Sequence, residues 1–384
     1  MPAARPTARL VGLDVARCVA LVGMIAVHTI DERTPSGELS WTHWVAGGRA
    51  SALFAVLAGV ALALVTDRPG GRSPRSLLAV LVRAAMVASL GLFLGGLDSG
   101  LAVILTYYGL LFVVGLPFVA LGPRALLLLA GGWAVVAPVV SHVLRARPEV
   151  PPRSFEVPSF ASLAEPLDLL ADLTLTGYYP VLPWLAYLLL GMGIARLDLR
   201  DRAVAGRLVV GGLAAAVGAA VVSRVLVTAP SVREALVRDY PTGMGADEVI
   251  EQARGGLFGV TPSPGPWQWL LLDAPHSATP FDLVATGGSA ALVIGLCLLL
   301  ADALRGWALR GLAVLTGAGA MTLTLYSLHV LLRTPDLWPP DDGPEAFRWH
   351  VLVVLWTGAV FAALSVRGPL EWLVRRVTGA VAGS

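Results

Sequence analysis

The chain has 384 residues and a formal net charge of +2, and its composition is 56% hydrophobic and only 14% charged. A soluble domain carries about 25% charged residues, so this composition, with a mean hydropathy of +0.74, excludes a soluble enzyme and predicts an integral membrane protein. All 28 basic residues are arginines, which excludes lysine Schiff-base chemistry and a phosphate-binding loop lysine. The small net charge gives no indication of a nucleic-acid partner, and we expect none.

Several apolar runs reach the roughly 20 residues that a helix needs to cross a bilayer. We therefore predict an all-α fold, a polytopic integral membrane helical bundle of about ten transmembrane helices. Two long loops, 145–177 and 228–279, interrupt the series, and the second is predicted to hold short interfacial helices near 232–237 and 246–254. In chain order, the predicted spans cover residues 10–30, 49–65, 76–97, 101–121, 125–144, 178–197, 208–227, 280–300, 311–332 and 349–366.

Arginines set the predicted orientation, because short cytoplasmic loops are enriched in them. They fall in loops on one side of the predicted bundle, whereas the tight turn at 98–100 on the other side has none. We therefore expect a multi-pass protein of the plasma membrane with both termini in the cytoplasm. Residues 1–366 are predicted to form a single transmembrane domain, and residues 367–384 a cytoplasmic amphipathic tail with apolar side chains and tryptophan on one face.

The first predicted span carries an acid, a base and an imidazole. At about 100° per residue, Asp14, Arg17 and His28 fall on one stripe of the helix, with Arg17 and His28 about 20° apart. Ionisable side chains inside a membrane are costly and often mark a functional site. Two interpretations stay open: a structural Asp14–Arg17 ion pair beside an interfacial histidine, or a polar track in which His28 acts as general base, because imidazole titrates near neutral pH.

A second polar stripe lies on the ninth predicted span, where Thr322, Tyr326, His329 and Arg333 follow at helical spacing. Tyr and Arg are also ordinary anchors at membrane interfaces, so the stripe suits either role. His43, His142 and His350 are explained well enough as polar residues of the outer side. The candidate substrate-binding residues, chosen by location, are Arg49, His276, Ser277, Tyr326, His329 and Arg333.

Neither a metal site nor a disulfide is expected. The histidines show no HxxxH or similar spacing of metal ligands. The two cysteines, Cys18 and Cys297, both fall inside apolar spans.

Several segments of the chain are similar to the motifs of one superfamily and occur in the same order. Asp14-x-x-Arg17 followed by His28 resembles the opening motif of the transmembrane acyltransferase superfamily. That superfamily includes the heparan-alpha-glucosaminide N-acetyltransferase catalytic domain, the DUF418 (YeiB-like) proteins and the acyltransferase-3 proteins. The other segments that resemble its motifs are 48–59 (GRASALFAVLAG), 107–112 (YYGLLF), 179–184 (YPVLPW), 190–193 (LGMG), 275–281 (PHSATPF), 326–329 (YSLH) and 368–372 (GPLEW).

The resemblance implies an acyltransferase that moves an acyl group, acetyl in the family's manner, from cytoplasmic acyl-CoA to an outer acceptor. That acceptor would be a sugar or glycan amine or hydroxyl, or a lipid; acyl-CoA (acetyl-CoA) is then a co-substrate, and no cofactor is bound permanently. His28 matches the first-helix histidine, as base or transient acyl carrier, and Asp14 and Arg17 match its partners. In the heparan branch the catalytic histidine lies in the first outer loop, where His43 is the counterpart. The sequence favours His28 and leaves His43 open.

Two other functions stay open. A transporter of a small solute or lipid intermediate would use the Asp14, Arg17 and His28 side chains as a relay, although no internal repeat supports it. The second is a non-catalytic membrane scaffold or regulator whose acyltransferase-like site has decayed. A homodimer is left open, and the Ala, Arg and Gly bias is typical of a bacterial protein. The outer tryptophans, which suit either sugar stacking or an interfacial belt, are Trp41, Trp44, Trp267 and Trp269.

Overall fold

The computed structural model of the protein describes residues 11–238, 243–335 and 342–383. The regular secondary structure within these ranges is helical, apart from one isolated β-bridge between Arg33 and Leu39. The prediction of an all-α fold is therefore confirmed. In chain order the α-helices are α1 (Val11–Thr29), α2 (Trp41–Ala46), α3 (Arg49–Thr66), α4 (Pro74–Gly95), α5 (Leu105–Gly115), α6 (Pro123–Arg145), α7 (Pro166–Ala171), α8 (Val181–Ala195), α9 (Arg202–Val227), α10 (Pro230–Arg238), α11 (Ala246–Gly255), α12 (Pro280–Ala303), α13 (Gly306–Leu315), α14 (Thr322–Leu332), α15 (Pro344–Ala363) and α16 (Pro369–Ala382).

Seven segments of the described chain are long and apolar enough to span a membrane: α1, α2 continued by α3, α4, α6, α9, α12 and α15. An eighth results if the bent pair Pro166–Thr176 and Val181–Ala195, whose axes meet at 55°, forms one span. The other predicted spans correspond to shorter apolar helices, α5, α13 and α14. The fold is thus the predicted polytopic helical membrane bundle.

The ninth predicted span, 311–332, is wrong as a continuous helix. A 3-10 turn at Gly317–Ala320 separates α13 from α14. A Cβ atom at Gly319 would overlap the carbonyl of Asp14, and Gly358 of α15 approaches the same turn closely. Glycine is a poor helix former, and here its missing side chain lets the turn lie directly against α1 and α15.

The two long loops contain more helix than a plain loop prediction implies. In the first, which was predicted as a loop only, α7 runs into a π-helical segment at Asp172–Thr176. In the second, α10 and α11 confirm the two predicted short helices. These two helices share a small apolar core, in which Leu236, Val249 and Trp269 are almost completely buried. The second loop is therefore a folded cap rather than an open connection.

α1 and α3 lie at the centre of the bundle. Of the 18-residue apolar stretch of each span, 61% is buried in α1 and 67% in α2 continued by α3. In α9 only 17% of that stretch is buried. α1 contacts α3, α12, α14 and α15. α3 and α8 cross so closely that a Cβ atom at Gly191 would overlap the carbonyl of Val56. The ionisable residues of α1 consequently face protein on several sides, which lowers the cost of placing them in a membrane.

The C-terminal helix α16 lies against α4 and α14. Glu371 accepts hydrogen bonds from the backbone N–H groups of Leu323 and Thr324, over 2.8 and 3.1 Å, and from the Thr324 hydroxyl over 2.6 Å. It therefore caps the start of α14. Trp372 is half exposed, and the Arg376 guanidinium lies 5.4 Å from its ring centroid. The division into residues 1–366 and a cytoplasmic tail stays a prediction.

Candidate functional site

Three histidines meet where α1 ends, and we call this region the histidine end. His28 Nδ1 lies 3.1 Å from His329 Nε2, and His329 Nδ1 lies 3.0 Å from His350 Nδ1. The His28 and His329 rings are nearly parallel, at 2°, whereas His350 stands edge-on to His329, at 81°. His329 and His350 are buried, and His28 is partly exposed. The three imidazoles, which we call the histidine chain, are therefore joined by two hydrogen bonds.

Helix ends explain why these rings meet. The backbone N–H of Gly343, just before α15, donates to the Thr29 carbonyl at the end of α1 over 2.5 Å. His350 lies on the buried face of α15, at four-residue spacing from the buried Ala346 and Val354. α15 therefore presents His350 to the interior beside the end of α1, where the last turns of α14 supply the middle ring.

Arg333 lies at the end of α14, next to the histidine chain. Its Nη1 donates to Asp342 Oδ1 over 2.6 Å, and its side chain is only 11% exposed. Arg333 is close enough to all three histidines of the chain to interact with them electrostatically. Within the described residues its buried Nε has no hydrogen-bond partner. One N–H donor beside the imidazoles is thus unused.

His276 stands in a strained turn before α12. Its φ of 54° and the φ of 51° at Ala278 lie in the left-handed region, which costs non-glycine residues about 1–3 kcal/mol each. Asp282 Oδ2 holds the turn, because it accepts the backbone N–H groups of Ser277 and Ala278 over 3.1 and 3.0 Å. The Ser277 hydroxyl donates to Thr279 Oγ1, so this predicted substrate-binding residue is engaged within the turn.

The His276 ring lies against aromatic side chains. Its centroid is 5.6 Å from that of Tyr179 and 6.4 Å from that of Trp184, and it is nearly parallel to the tryptophan. Burial, together with the positive charges of Arg153 and His43, lowers the pKa of His276 to about 4. His276 is therefore a neutral imidazole at pH 7, able to offer either a donor or an acceptor.

His43, the alternative catalytic residue, lies on α2. Its Nδ1 is 3.2 Å from Ser40 Oγ, and the exposed rings of Trp41 and Trp44 stack on each other beside it, 4.9 Å apart. His43 is close enough to His28 to interact with it electrostatically. The histidines gathered at this end are His28, His43, His276, His329 and His350. The sixth, at the end of α6, lies beside an arginine instead.

Other predicted ligand-binding residues are engaged in the fold. Arg49 Nη1 donates to the Trp44 carbonyl over 2.7 Å. Tyr326 is buried, and its hydroxyl accepts the backbone N–H of Ile104 over 3.4 Å. Trp269 is buried in the small core of the cap, so the suggestion that it stacks on a sugar is wrong.

The opposite end of α1, which we call the Asp14 end, holds fixed charges. Arg17 Nη1 donates to Asp14 Oδ1 over 3.1 Å. Asp14 is buried, and the Arg17 side chain is 24% exposed. Arg83 of α4, which sequence reasoning did not single out, lies close enough to Arg17 and Glu371 to interact with both. Two guanidinium groups, one on α1 and one on α4, are therefore close enough at this end to interact electrostatically.

The two ends of α1 are not joined along the helix. Asp14 and His28 are separated by about 21 Å, the rise of fourteen residues of α-helix. Between them, Leu21, Met24 and Ile25 are buried and apolar. The continuous polar track that the sequence allowed is therefore absent from α1, and its two ends are separate sites.

The nitrogens of the histidine chain contact one another in two separate pairs. Within the described ranges, no three His, Cys, Asp or Glu side chains are grouped as metal ligands. The two pairs of facing nitrogens do not converge on one point. Cys18 and Cys297 are buried, free thiols.

Sequence reasoning missed His350 and Asp282. His350 was assigned to the ordinary polar residues of the outer side, yet its four-residue spacing from buried apolar positions marks an imidazole on the buried face of α15. Asp282 stands three residues after Thr279, whose hydroxyl accepts its backbone N–H over 3.1 Å. That Thr-x-x-Asp spacing is the signal of a capped helix start, and it would have pointed to the turn that holds His276.

The comparison with known families bears on the first half of the chain. Residues 9–220 match the family described as "Heparan-alpha-glucosaminide N-acetyltransferase, catalytic", which is more than half of the 384 residues. The matched region includes Arg17, His28 and His43, and the DUF418-like segments beyond it stay a prediction. No curated protein sequence matches the chain. The predicted resemblance is confirmed, and the chain belongs to the heparan-alpha-glucosaminide N-acetyltransferase catalytic family of membrane acyltransferases.

Proposed function

We propose that the protein transfers an acetyl group from acetyl-CoA to an amine or hydroxyl of a sugar or glycan at the histidine end, with His28 as general base. The family in general uses acetyl-CoA as donor. One observation carries the choice of His28: its Nδ1 is engaged with His329, while its Nε2 has no partner in the described structure and is not fully buried. In the tautomer that carries its proton on Nδ1, Nε2 is bare, and a bare, accessible imidazole nitrogen is what a general base requires.

The chemistry follows from that nitrogen. The acceptor's amine or hydroxyl attacks the thioester carbon as His28 Nε2 removes its proton. The carbonyl oxygen becomes an oxyanion, and N–H donors that already point at it lower the barrier. Arg333 is the donor we assign to this purpose: its Nε–H is buried and without a partner in the described structure, so the side chain would have to turn toward the oxyanion. The tetrahedral intermediate then collapses with loss of the coenzyme A thiolate, and the acetylated acceptor leaves.

His43 and its neighbours suit the acceptor. Trp41 and Trp44 are 73% and 50% exposed, so their faces are open to the apolar side of a sugar ring. His43, between them, is placed to hydrogen-bond a sugar hydroxyl. We therefore assign His43 to acceptor binding and retain His28 as the base. Arg49 and His276 flank the same region and complete the proposed acceptor site.

The Asp14 end suits the donor. Coenzyme A carries several phosphates, and Arg17 and Arg83 supply two positive charges near each other at the end away from the histidines. Because Leu21, Met24 and Ile25 fill the space beside α1, these side chains would have to move for the pantetheine arm to reach His28. In this arrangement the Asp14 end and both chain termini lie on the cytoplasmic side of the plasma membrane, as the arginine distribution suggests. Asp14 orients Arg17 through their hydrogen bond.

The test is acetyl transfer by the purified protein in nanodiscs, with acetyl-CoA and a panel of amino-sugar and hydroxyl acceptors. General-base catalysis contributes about 10²–10⁴-fold, so His28→Gln is expected to lower kcat by that factor. His43→Gln is expected to raise the acceptor KM and to change kcat less. His142→Gln, at the end of α6, is the matched control and should behave like wild type.

Thermal unfolding checks donor binding separately. A ligand that binds only the folded protein raises its stability by mass action, so acetyl-CoA should raise Tm saturably while ATP does not. If His28→Gln and His43→Gln both keep wild-type turnover, the assignment of the site is wrong. If no acyl-CoA raises Tm and no acetyl transfer occurs, the proposed function is wrong, and transport becomes the function to test.

A further inference from the structure

The histidine chain has a property that one catalytic base does not require. A neutral imidazole has one N–H and one bare nitrogen, so each ring can donate one hydrogen bond and accept another. Two contacts in series, 3.1 and 3.0 Å long, join His28 to His329 and His329 to His350. Both are ordinary hydrogen-bond distances. Once the tautomer of one ring is chosen, the tautomers of the other two follow.

A bare Nε2 on His28 fixes the whole arrangement. His28 then carries Nδ1–H and donates to His329 Nε2, which must be bare. His329 in turn carries Nδ1–H and donates to His350 Nδ1, which must also be bare. His350 therefore carries its proton on Nε2. All three rings are neutral, and both hydrogen bonds point from α1 toward α15.

Both ends of the histidine chain lack a protein partner. Within the described structure neither His28 Nε2 nor His350 Nε2 is hydrogen-bonded; His28 is partly exposed, and His350 is 4% exposed. His329, in contrast, is completely buried and uses both ring nitrogens in the chain. A proton can therefore enter at one end and leave at the other, while the middle ring is shielded from water.

From this geometry we infer that the histidine chain is a proton relay, in which His350 releases to solvent a proton equivalent to the one that His28 removes from the acceptor. The inference rests on the proposed function and assigns to His329 and His350 roles that the choice of a base leaves open. His350 lies two rings away from the reacting atoms and acts through the ring between, so it is a positioning and relay residue rather than a catalytic one.

During attack on the thioester, one proton moves across each link of the histidine chain. As the acceptor nitrogen or oxygen bonds to the thioester carbon, its proton goes to His28 Nε2. The His28 Nδ1 proton moves to His329 Nε2, the His329 Nδ1 proton moves to His350 Nδ1, and the His350 Nε2 proton passes to water. Every ring is again neutral, so no imidazolium stays beside the tetrahedral intermediate. Both hydrogen bonds now point toward α1.

Collapse of the intermediate resets the relay. The carbon–sulfur bond breaks, and the thiolate of coenzyme A takes the proton on His28 Nε2. The His329 Nε2 proton then returns to His28 Nδ1, the His350 Nδ1 proton returns to His329 Nδ1, and water supplies a proton to His350 Nε2. The net reaction moves one proton from the acceptor to the coenzyme A thiol, and the relay ends as it began.

The charged and titratable groups facing the histidine chain do not interrupt it. Arg333 is held by Asp342 and has no bare nitrogen that could capture a proton from the chain. Among the described residues no carboxylate hydrogen-bonds any of the three rings. The groups that face the chain from neighbouring elements are Arg333, Asp342, His43 and His276.

His350→Gln is the decisive variant, because glutamine can accept the His329 hydrogen bond but cannot pass a proton through its side chain. We expect kcat to fall about tenfold or more with the acetyl-CoA KM unchanged, and the acid side of the pH profile to move. In wild type, the dependence of kcat on the deuterium content of the solvent should require more than one proton in transfer. In His350→Gln it should require only one. His350→Ala should regain turnover when imidazole is added.

A structural measurement accompanies the kinetics. In ¹⁵N-histidine-labelled protein, couplings across the hydrogen bonds should link His28 to His329 and His329 to His350. Wild-type kcat in His350→Gln, or absence of both couplings, overturns the relay. If that occurs while His28→Gln is inactive, the proposed function stands without the relay. If wild-type protein transfers no acetyl group, the proposed function and the relay fall together.

Discussion

The histidine end and the Asp14 end belong to the same central helix, and the bundle treats ionisable groups differently at each. At the histidine end the rings of His28, His329 and His350 hydrogen-bond to one another, without a carboxylate partner among the described residues. At the Asp14 end, Asp14 pairs with Arg17. Imidazole groups, which can both donate and accept a proton, are concentrated at the first end, and carboxyl and guanidinium groups at the second.

The conformation of the backbone also differs between the two ends of α1. Beside the histidines, the turn at His276 is strained, and a buried carboxylate from α12 holds it in place. Near the Asp14 end, the turn at Gly319 lies close against α1, but none of its non-glycine residues has a left-handed φ. Glu371 caps the start of α14. Strain of this kind persists where the surrounding structure enforces it, often at functional sites. This difference supports the proposal that acetyl transfer takes place at the first end and phosphate recognition at the second.

Asp282→Ala should break the histidine end most severely. It removes the acceptor of two buried N–H groups at the strained turn, and each unsatisfied buried group costs about 1–3 kcal/mol. We expect a loss of about 2–5 kcal/mol in the free energy of unfolding, measured by thermal unfolding in detergent. Ser289→Ala on the same helix, which loses only a bond to the Ala285 carbonyl, is the control. Equal Tm values for the two variants would contradict this role of Asp282.

Arg17→Ala should affect the Asp14 end and leave the histidines intact. Losing one charge-assisted contact to phosphate costs about 1.5–3 kcal/mol, so the acetyl-CoA concentration that half-saturates the Tm shift should rise about tenfold or more. Arg83→Ala is expected to act in the same direction. The control is Arg124→Ala, an exposed arginine at the start of α6. A change in kcat alone, with acetyl-CoA binding unaltered, would argue against a phosphate role.

Glu371→Gln should loosen the C-terminal helix from the bundle. The carboxylate accepts three hydrogen bonds at the start of α14, where a negative charge also interacts favourably with the helix dipole. Loss of a helix cap costs about 0.5–2 kcal/mol, and we expect unfolding to become easier by that amount. Glu345→Gln, at an exposed position in the first turn of α15, should change little. Faster hydrogen exchange confined to α14 and α16 would support the assignment.

At pH 7 the His276→Gln substitution should give the smallest effect, because it acts on how stability depends on pH below neutrality. The pKa of His276 in the folded protein is about 4, against roughly 6.5 when unfolded. Between these values the unfolded state binds more protons, so stability falls as pH decreases from about 6.5 toward 4, by at most about 1.4 kcal/mol per pH unit. His276→Gln should flatten this part of the Tm–pH curve. Parallel curves for the two proteins would show that His276 is as solvated as in the unfolded chain.

Much of the candidate site was predictable from sequence, because its signals are local. Asp14, Arg17 and His28 stand out as ionisable groups in an apolar helix, and helical spacing places Tyr326 and His329 on one element. Spacing within one helix cannot, however, show which helices are neighbours. His350 had no partner until α15 was placed against the end of α1, so its role was invisible in the sequence.

The sequence alone determined the class of fold, since apolar runs of sufficient length leave the backbone only helices with which to cross a bilayer. It also determined the family, because its motifs occur in order along the chain. The tertiary structure alone decided that the two ends of α1 are separate sites, since buried leucine, methionine and isoleucine fill the space between them. It also decided that three rings from three helices form a chain, because a hydrogen bond requires approach within about 3 Å, which depends on how α1, α14 and α15 pack.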